Sequence, residues 1–121
     1  MQSQKASFSI SIDLELAWGV WDKINDNHLN NAINLERKIV DKLLDIFNCY
    51  DLPVSWATVG ALIDKNNKMI NAGDKKAWYA PDVIDKIINS KTNHLIASHS
   101  YAHPNFKETN ESMIIEDFEK A

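Results

Sequence analysis

Two pairs of side chains in this 121-residue sequence have types and spacings that suit a metal ion. Asp13 and Glu15 lie two apart in an alternating stretch, so they share one face of a predicted strand. His99 and His103 lie four apart, a spacing that places both rings on one face of a helical turn. Neighbouring carboxylates repel each other unless a cation compensates, and imidazoles are common ligands of such cations. Taken singly, Asp-x-Glu triplets and histidine pairs are mostly solvated surface residues, but together they predict a divalent metal site.

Hydrophobic periodicity predicts the elements that must bring these pairs together. Apolar residues alternate from Phe8 to Leu16, which predicts a strand, and the polar, asparagine-rich stretch 20–34 predicts a loop. The later predicted elements are a helix from Asn34 to about residue 52, a buried strand in 53–63, a helix from Pro81, a strand in 93–99 and a helix from about Asn110. This alternation predicts an α/β fold with parallel strands and flanking helices. Ligand groups in such folds gather where the strands end.

Composition limits the function classes. Thirteen Lys and Arg residues against 17 Asp and Glu residues give a net charge of −4, and the lysines are scattered, so nucleic acid is not an expected partner. No run approaches the roughly 18 apolar residues of a membrane span. The N-terminus lacks the apolar core of a secretory signal, and we therefore expect a cytoplasmic protein without a transmembrane segment. The length allows one domain but not a complete eight-unit barrel.

The remaining chemistry-bearing residues have structural interpretations. Cys49 falls in the apolar pattern of the first helix and is expected to be a buried thiol. His28 and His94 have no suitably spaced partner and are expected in loops or on the surface. Trp56 lies inside a strand and is expected in the core. Trp18 follows the carboxylates, where its indole either packs under a loop or is exposed to stack on a sugar ring.

Three stretches resemble the N-terminal part of a polysaccharide deacetylase domain, the chitin-deacetylase-like family of carbohydrate esterases. They are FSISIDLELAWG at the first strand, VSWATVGALI at the second, and LIASHSYAHPNF, which matches the family's His-Ser/Thr-x-x-His motif. The resemblance spans most of residues 7–106. It implies that residues 1–121 form the N-terminal portion of one such domain, a partial (β/α) barrel that is incomplete in this chain.

The resemblance also implies an activity and roles for the four metal-binding side chains. The activity is metal-dependent hydrolysis of an N-acetyl group on an amino sugar, in a polysaccharide or a saccharide precursor. Glu15, His99 and His103 would hold a divalent ion, with zinc expected, and Asp13 would act as the base. Many family members end this strand in two adjacent aspartates, whereas here Leu14 separates the two acids, so the roles of Asp13 and Glu15 are interchangeable at this point. Trp18 and Tyr101 are expected to contact the carbohydrate.

Two departures from the family pattern leave alternatives open. Family enzymes take an arginine that orients the base and a histidine that acts as acid from later strands, but the sole arginine here is Arg37, on the first helix, and no histidine follows His103. We therefore expect an inactive fragment of a longer protein, whose unpaired sheet edges favour self-association. The alternatives are a non-catalytic metal- or carbohydrate-binding module and an amide hydrolase acting on a ureide or cyclic imide.

Overall fold

A three-stranded parallel sheet forms the centre of the fold. The computed structural model describes residues 6–22 and 26–121. The strands are β1 (Ser11–Leu14), β2 (Ser55–Thr58) and β3 (Leu95–Ser98), in the order β1-β2-β3. Leu14, Thr58 and Ser98 occupy one row of the register, so all three strands end at the same edge. The predicted α/β class and parallel sheet are confirmed, and the open sheet is that of a partial β/α barrel.

Within the described residues, four helices and two 3₁₀ turns connect and flank the strands. The helices are α1 (Asp26–Cys49), α2 (Lys75–Trp78), α3 (Pro81–Ile88) and α4 (Glu111–Lys120), and the 3₁₀ turns are Leu16–Gly19 and Gly60–Leu62. Local chemistry sets several of these limits. Pro81 opens α3, where its missing N–H costs no hydrogen bond, and the side chain of Asn110 caps α4 by accepting from the N–H of Met113 at 3.0 Å. The predicted starts of both helices are confirmed.

Two predicted elements have wrong boundaries. The first strand ends at Leu14 instead of Leu16, because Leu16 has a left-handed φ of +48° and opens a 3₁₀ turn; Phe8, at the other end of the predicted strand, is 79% exposed. Helix α1 begins at Asp26, within the stretch predicted as a loop. Asn31 and Asn34 are exposed there while Ile33 is buried, so polar side chains that suggest a loop instead form the solvent face of a helix.

The core lies between the sheet, α1, α3 and the connecting turns. Trp56 of β2 is fully buried at its centre, as predicted, with Phe47 of α1 edge-on to it. The other large buried residues are Leu14, Leu16, Trp18, Ile33, Val40, Leu44, Val54, Val59, Leu62, Trp78, Val83, Ile84 and Ile87. The prediction for Cys49 is wrong, because the last turn of α1 directs this thiol away from the core and leaves it exposed. Among the described residues, no helix has the length and apolar character needed to cross a bilayer.

Candidate metal centre

The two outer strands supply opposite sides of the site. Glu15 directly follows β1 and His99 directly follows β3, with Val59 after β2 between them. The hydrogen bonding between neighbouring strands continues one residue past their ends. The N–H of Val59 donates to the carbonyl of Leu14 at 3.1 Å, and the N–H of His99 donates to the carbonyl of Thr58 at 3.0 Å. Parallel strands lie about 4.8 Å apart, so two outer strands lie about 10 Å apart, and two long side chains can close this gap.

Glu15, His99 and His103 converge at this edge. Glu15 Oε1 lies 2.8 Å from His99 Nε2 and 3.1 Å from His103 Nε2, and the two rings have centroids 5.2 Å apart. One ligand atom from each residue lies within 4.8 Å of the others. The side chains are 26%, 29% and 37% exposed, respectively, so the cluster lies in a partly buried position open to solvent. The structure brings together all three predicted ligands.

Asp13 lies at the rim of the cluster. Its Oδ2 is 3.8 Å from His99 Nε2 and its side chain is 59% exposed. The two acids are therefore not equivalent: Glu15 contacts both imidazoles, while Asp13 approaches only one from the solvent side. Among the described residues, neither acid forms an ion pair with a lysine or arginine. The ion-pair partners described for both acids are thus imidazoles.

The histidine pair is not on a helical turn, and this part of the prediction is wrong. After β3 the chain bends through residues 99–103, where Ser100 has φ +62° and His103 has φ +50°. The Ser100 hydroxyl accepts from the N–H of His103 at 3.0 Å and closes the bend. Left-handed backbone at two non-glycine residues folds the chain back, so the rings face each other without a helix.

Gly19 makes room for the carboxylate of Glu15. A Cβ built on Gly19 would overlap Glu15 Oε2 and lie 3.0 Å from the carboxyl carbon. The turn Leu16–Gly19 therefore brings the backbone of Gly19 directly against the ligand. Sequence reasoning missed this residue, although a glycine four positions after the predicted ligand was a usable signal.

The donor set suits a divalent transition metal ion. Two imidazole nitrogens and one carboxylate oxygen are the ligands that catalytic zinc sites employ, with a further position left for water or substrate. The distances among the three donors allow all of them to contact one ion after small side-chain adjustments. The residues present therefore fit such an ion.

The comparison with protein families agrees with this geometry. The profile described as polysaccharide deacetylase matches residues 25–121, most of the chain. The chain belongs to the polysaccharide deacetylase family. No curated protein and no solved structure matches it at a significant level. The family match contains β2, β3 and both histidines, whereas Asp13 and Glu15 precede the matched residues.

Polysaccharide deacetylase domains belong to deacetylase-type hydrolases, and metal dependence is general among them. In this member, the sole arginine, Arg37, lies on α1 and not on a later strand, and the structure shows what it contacts. Arg37 Nη1 lies 2.8 Å from Asp82 Oδ2, and its other donors reach the carbonyls of Lys76 and Tyr79. These contacts join α1 to the start of α3, so Arg37 is committed to packing the helices together.

The two residues expected to contact carbohydrate have different environments in this deacetylase domain. Trp18 is 2% exposed, its Nε1–H donates to the carbonyl of Trp78 at 3.2 Å, and its ring packs edge-on against Trp78. Stacking on a sugar needs an exposed ring face, so the structure supports the packing role instead. Tyr101 is half-buried and lines a cavity of about 430 Å³ beside the histidine bend.

The hydroxyl of Tyr101 already has a partner. It donates to Asp64 Oδ2 at 2.6 Å. Burial, followed by this hydrogen bond and the Asp64 charge, raises the pKa of Tyr101 to about 12. The same hydrogen bond lowers the pKa of Asp64. Tyr101 therefore remains a neutral donor at physiological pH, held in place by the segment that follows β2.

His94 lies in the loop before β3, as predicted, but its ring packs against core residues instead of facing solvent. Its Nδ1 accepts from the N–H of Val54 at 3.2 Å, and its ring lies edge-on to Phe47 and Trp56. Burial lowers the pKa of His94, which favours the neutral ring that can accept this hydrogen bond. The side chain of His28 lies outside the described residues.

Proposed function

We propose that this chain carries the metal centre of a metal-dependent hydrolase that removes N-acetyl groups from an amino sugar, in a polysaccharide or a saccharide precursor. The observation that carries the proposal is the convergence of Glu15, His99 and His103 at the carboxyl edge of the sheet. Membership of the polysaccharide deacetylase family supports the reaction class.

The ion we propose is zinc, held by Glu15, His99 and His103. Such an ion supplies Lewis acidity to a water molecule and to the carbonyl group of the acetyl substituent. The chain's own part is to fix two imidazoles and one carboxylate at hydrogen-bonding distance from each other before the ion binds. This preorganisation avoids most of the entropy loss of assembling the ligands.

Asp13 is the proposed general base. Its carboxylate lies at the solvent-facing rim, 3.8 Å from His99, where it can take a proton from the water that attacks the acetyl carbon. Glu15 is unsuited to that role, because both imidazoles contact the same oxygen, Oε1. The asymmetry supports Asp13 as base and Glu15 as ligand.

The proposed position of the sugar is a cavity of about 390 Å³ lined by Gly19, Asp22, His103 and residues 104–107. It adjoins the metal ligands and opens to solvent at the same edge of the sheet. Asp22, Asn105 and Lys107 offer it hydrogen-bonding groups and Phe106 an apolar surface, a combination that suits a saccharide.

Metal content is the first test of the proposal. Protein dialysed against zinc and then against buffer is expected to retain about one ion per chain, measured by elemental analysis. His99→Ala and His103→Ala are expected to lose this ion and to remain folded by circular dichroism. His94→Gln is the matched control, because that histidine precedes β3, at the opposite end of the strand from the cluster, and it is expected to retain zinc. Retention by both alanine variants would refute the site.

Product analysis separates the candidate reactions. Acetate released from an N-acetylated chito-oligosaccharide by the zinc-loaded protein supports the deacetylase, and Asp13→Asn should abolish it without releasing zinc. Opening of a cyclic imide or ureide with no acetate release would favour the other amide hydrolase. Zinc and saccharide binding with neither product is the result expected of an inactive deacetylase fragment and of the binding module, and acetate release would contradict both.

We also propose self-association through the outer strands. β1 and β3 are both edges of the sheet, and Leu95 and Ile96 of β3 are 62% and 36% exposed. An edge with apolar side chains and unpaired backbone groups favours pairing with another strand. Light scattering at micromolar concentration is expected to show a species larger than a monomer, reduced by Leu95→Lys. A single monomer peak for the original chain would contradict this proposal.

A further inference from the structure

A carboxylate from α4 contacts the bend that carries both histidines. Asp117 is 7% exposed, although the rest of α4 is largely solvent-exposed. Its Oδ2 accepts from the N–H of Tyr101 at 2.8 Å, and its Oδ1 accepts from the N–H of Ala102 at 2.8 Å. Both oxygens are therefore used by consecutive amides that lie between the two proposed ligands.

The bend requires external support because its backbone conformation is unfavourable. Left-handed φ values at Ser100 and His103 each cost about 1 to 2 kcal/mol for a residue with a side chain. The carbonyls of Ser100 and Tyr101 accept from the N–H groups that open the 3₁₀ turn after β2, at 3.0 and 2.8 Å. These bonds fix one side of the bend, and Asp117 satisfies the amides on the other side. Hydrogen bonds to a charged acceptor are stronger than neutral ones, so Asp117 is a principal restraint.

We propose that Asp117 is a positioning residue for the metal centre. By fixing the amides of Tyr101 and Ala102, it sets the separation and orientation of the His99 and His103 rings, and thereby the affinity for the ion. This inference rests on the proposed metal-dependent function. It extends the site to α4, a helix that supplies none of the proposed ligands, and it assigns a role to an acid that the sequence placed only within a predicted helix.

The test uses Asp117→Asn with Glu119→Gln as a matched control. Asn keeps the size of Asp but turns an NH₂ group toward one of the two amide donors, so one hydrogen bond is lost and two donors oppose each other. Glu119 lies on the same helix, is exposed, and loses the same charge in its variant. Supporting groups of metal ligands typically change affinity by about 10- to 100-fold.

The readouts are Co²⁺ binding and the geometry of the histidine pair. We expect Asp117→Asn to bind Co²⁺ about 10- to 100-fold more weakly with an altered visible absorption spectrum, and Glu119→Gln to match the original protein in both. In metal-free protein, nuclear Overhauser contacts between the His99 and His103 rings, whose centroids lie 5.2 Å apart, should weaken only in Asp117→Asn. If Asp117→Asn does not fold, Asp117→Glu, which keeps the charge and misplaces the oxygens, is expected to show the same losses.

The outcomes separate this inference from the proposed function. If the original protein binds no Co²⁺, the proposed metal-dependent function is refuted. The nuclear Overhauser contacts between the His99 and His103 rings in metal-free protein then still test the role of Asp117. If the original protein binds Co²⁺ and the folded Asp117 variant binds it with unchanged affinity, spectrum and ring contacts, Asp117 serves only general stability and the inference is overturned.

Discussion

Replacing Gly19 by alanine should weaken metal binding without destabilising the protein. The new Cβ would overlap Glu15 Oε2 and approach the carboxyl carbon to 3.0 Å and the Glu15 Cβ to 3.1 Å. The Glu15 Cβ is fixed by the backbone, whereas its carboxylate can rotate, so the carboxylate must turn away. That rotation separates Oε1 from both imidazoles, which it contacts at 2.8 and 3.1 Å.

The expected loss of metal affinity is larger than the expected change in stability. Displacing one of three ligands should lower the metal affinity by at least the 10- to 100-fold typical of supporting residues, which is about 1.4 to 2.7 kcal/mol. Gly19 does not have a left-handed φ, so alanine fits its backbone and should add about 0.4 to 1 kcal/mol by restricting the unfolded chain. The partly exposed Glu15–His hydrogen bonds that are lost offset about that amount. The free energy of unfolding without metal should therefore stay within about 1 kcal/mol.

Gly73→Ala is the matched control. Gly73 has φ +81°, and no atom lies within 4 Å of the position that a Cβ would occupy, so alanine there meets no neighbour but adopts an unfavourable backbone. It should lose about 1 to 2 kcal/mol of stability and keep the original metal affinity. Zinc affinity by competition with a chelator and urea unfolding of metal-free protein measure both quantities. Unchanged zinc affinity in Gly19→Ala would refute the claim that Gly19 accommodates a ligand.

Three further changes test the packing around the sheet. Asn67→Asp should lower the free energy of unfolding, measured in urea, by about 3 kcal/mol. A carboxylate would replace the NH₂ group that donates to the carbonyls of residues 61, 64 and 78. Equal stability of the two proteins would refute this reasoning. Trp56→Ala should lower the free energy of unfolding by about 3 to 5 kcal/mol, because Trp56 is fully buried. Trp21→Ala should lower it little, because the Trp21 side chain is 43% exposed. His94→Gln should reduce the acid sensitivity of the melting temperature. Burial lowers the pKa of His94 in the folded protein. The contribution of His94 to the free energy of unfolding is therefore complete above the unfolded pKa of about 6.5 and declines as the pH falls below that value.

The sequence predicted the sheet and the later helices because their signals are local. Alternating and continuous apolar runs marked the strands, Pro81 marked the start of α3, and Asn110 marked the cap of α4. The start of α1 was missed because asparagine-rich sequence is typical of loops. Here the asparagines form the solvent face of a helix, and the sequence alone does not show that Ile33 is buried on the opposite face. The burial of Trp18 was likewise open, because it depends on Trp78, sixty residues away.

For the site, residue type and position relative to the strand ends were sufficient to name Asp13, Glu15, His99 and His103. The chain sequence by itself thus determined the donor chemistry and the edge of the sheet at which the donors lie. Only the tertiary structure decided how they meet. The left-handed bend, the space left by Gly19 and the carboxylate of Asp117 all depend on contacts between segments distant in sequence, and the hydrophobic period of a segment carries no information about such contacts.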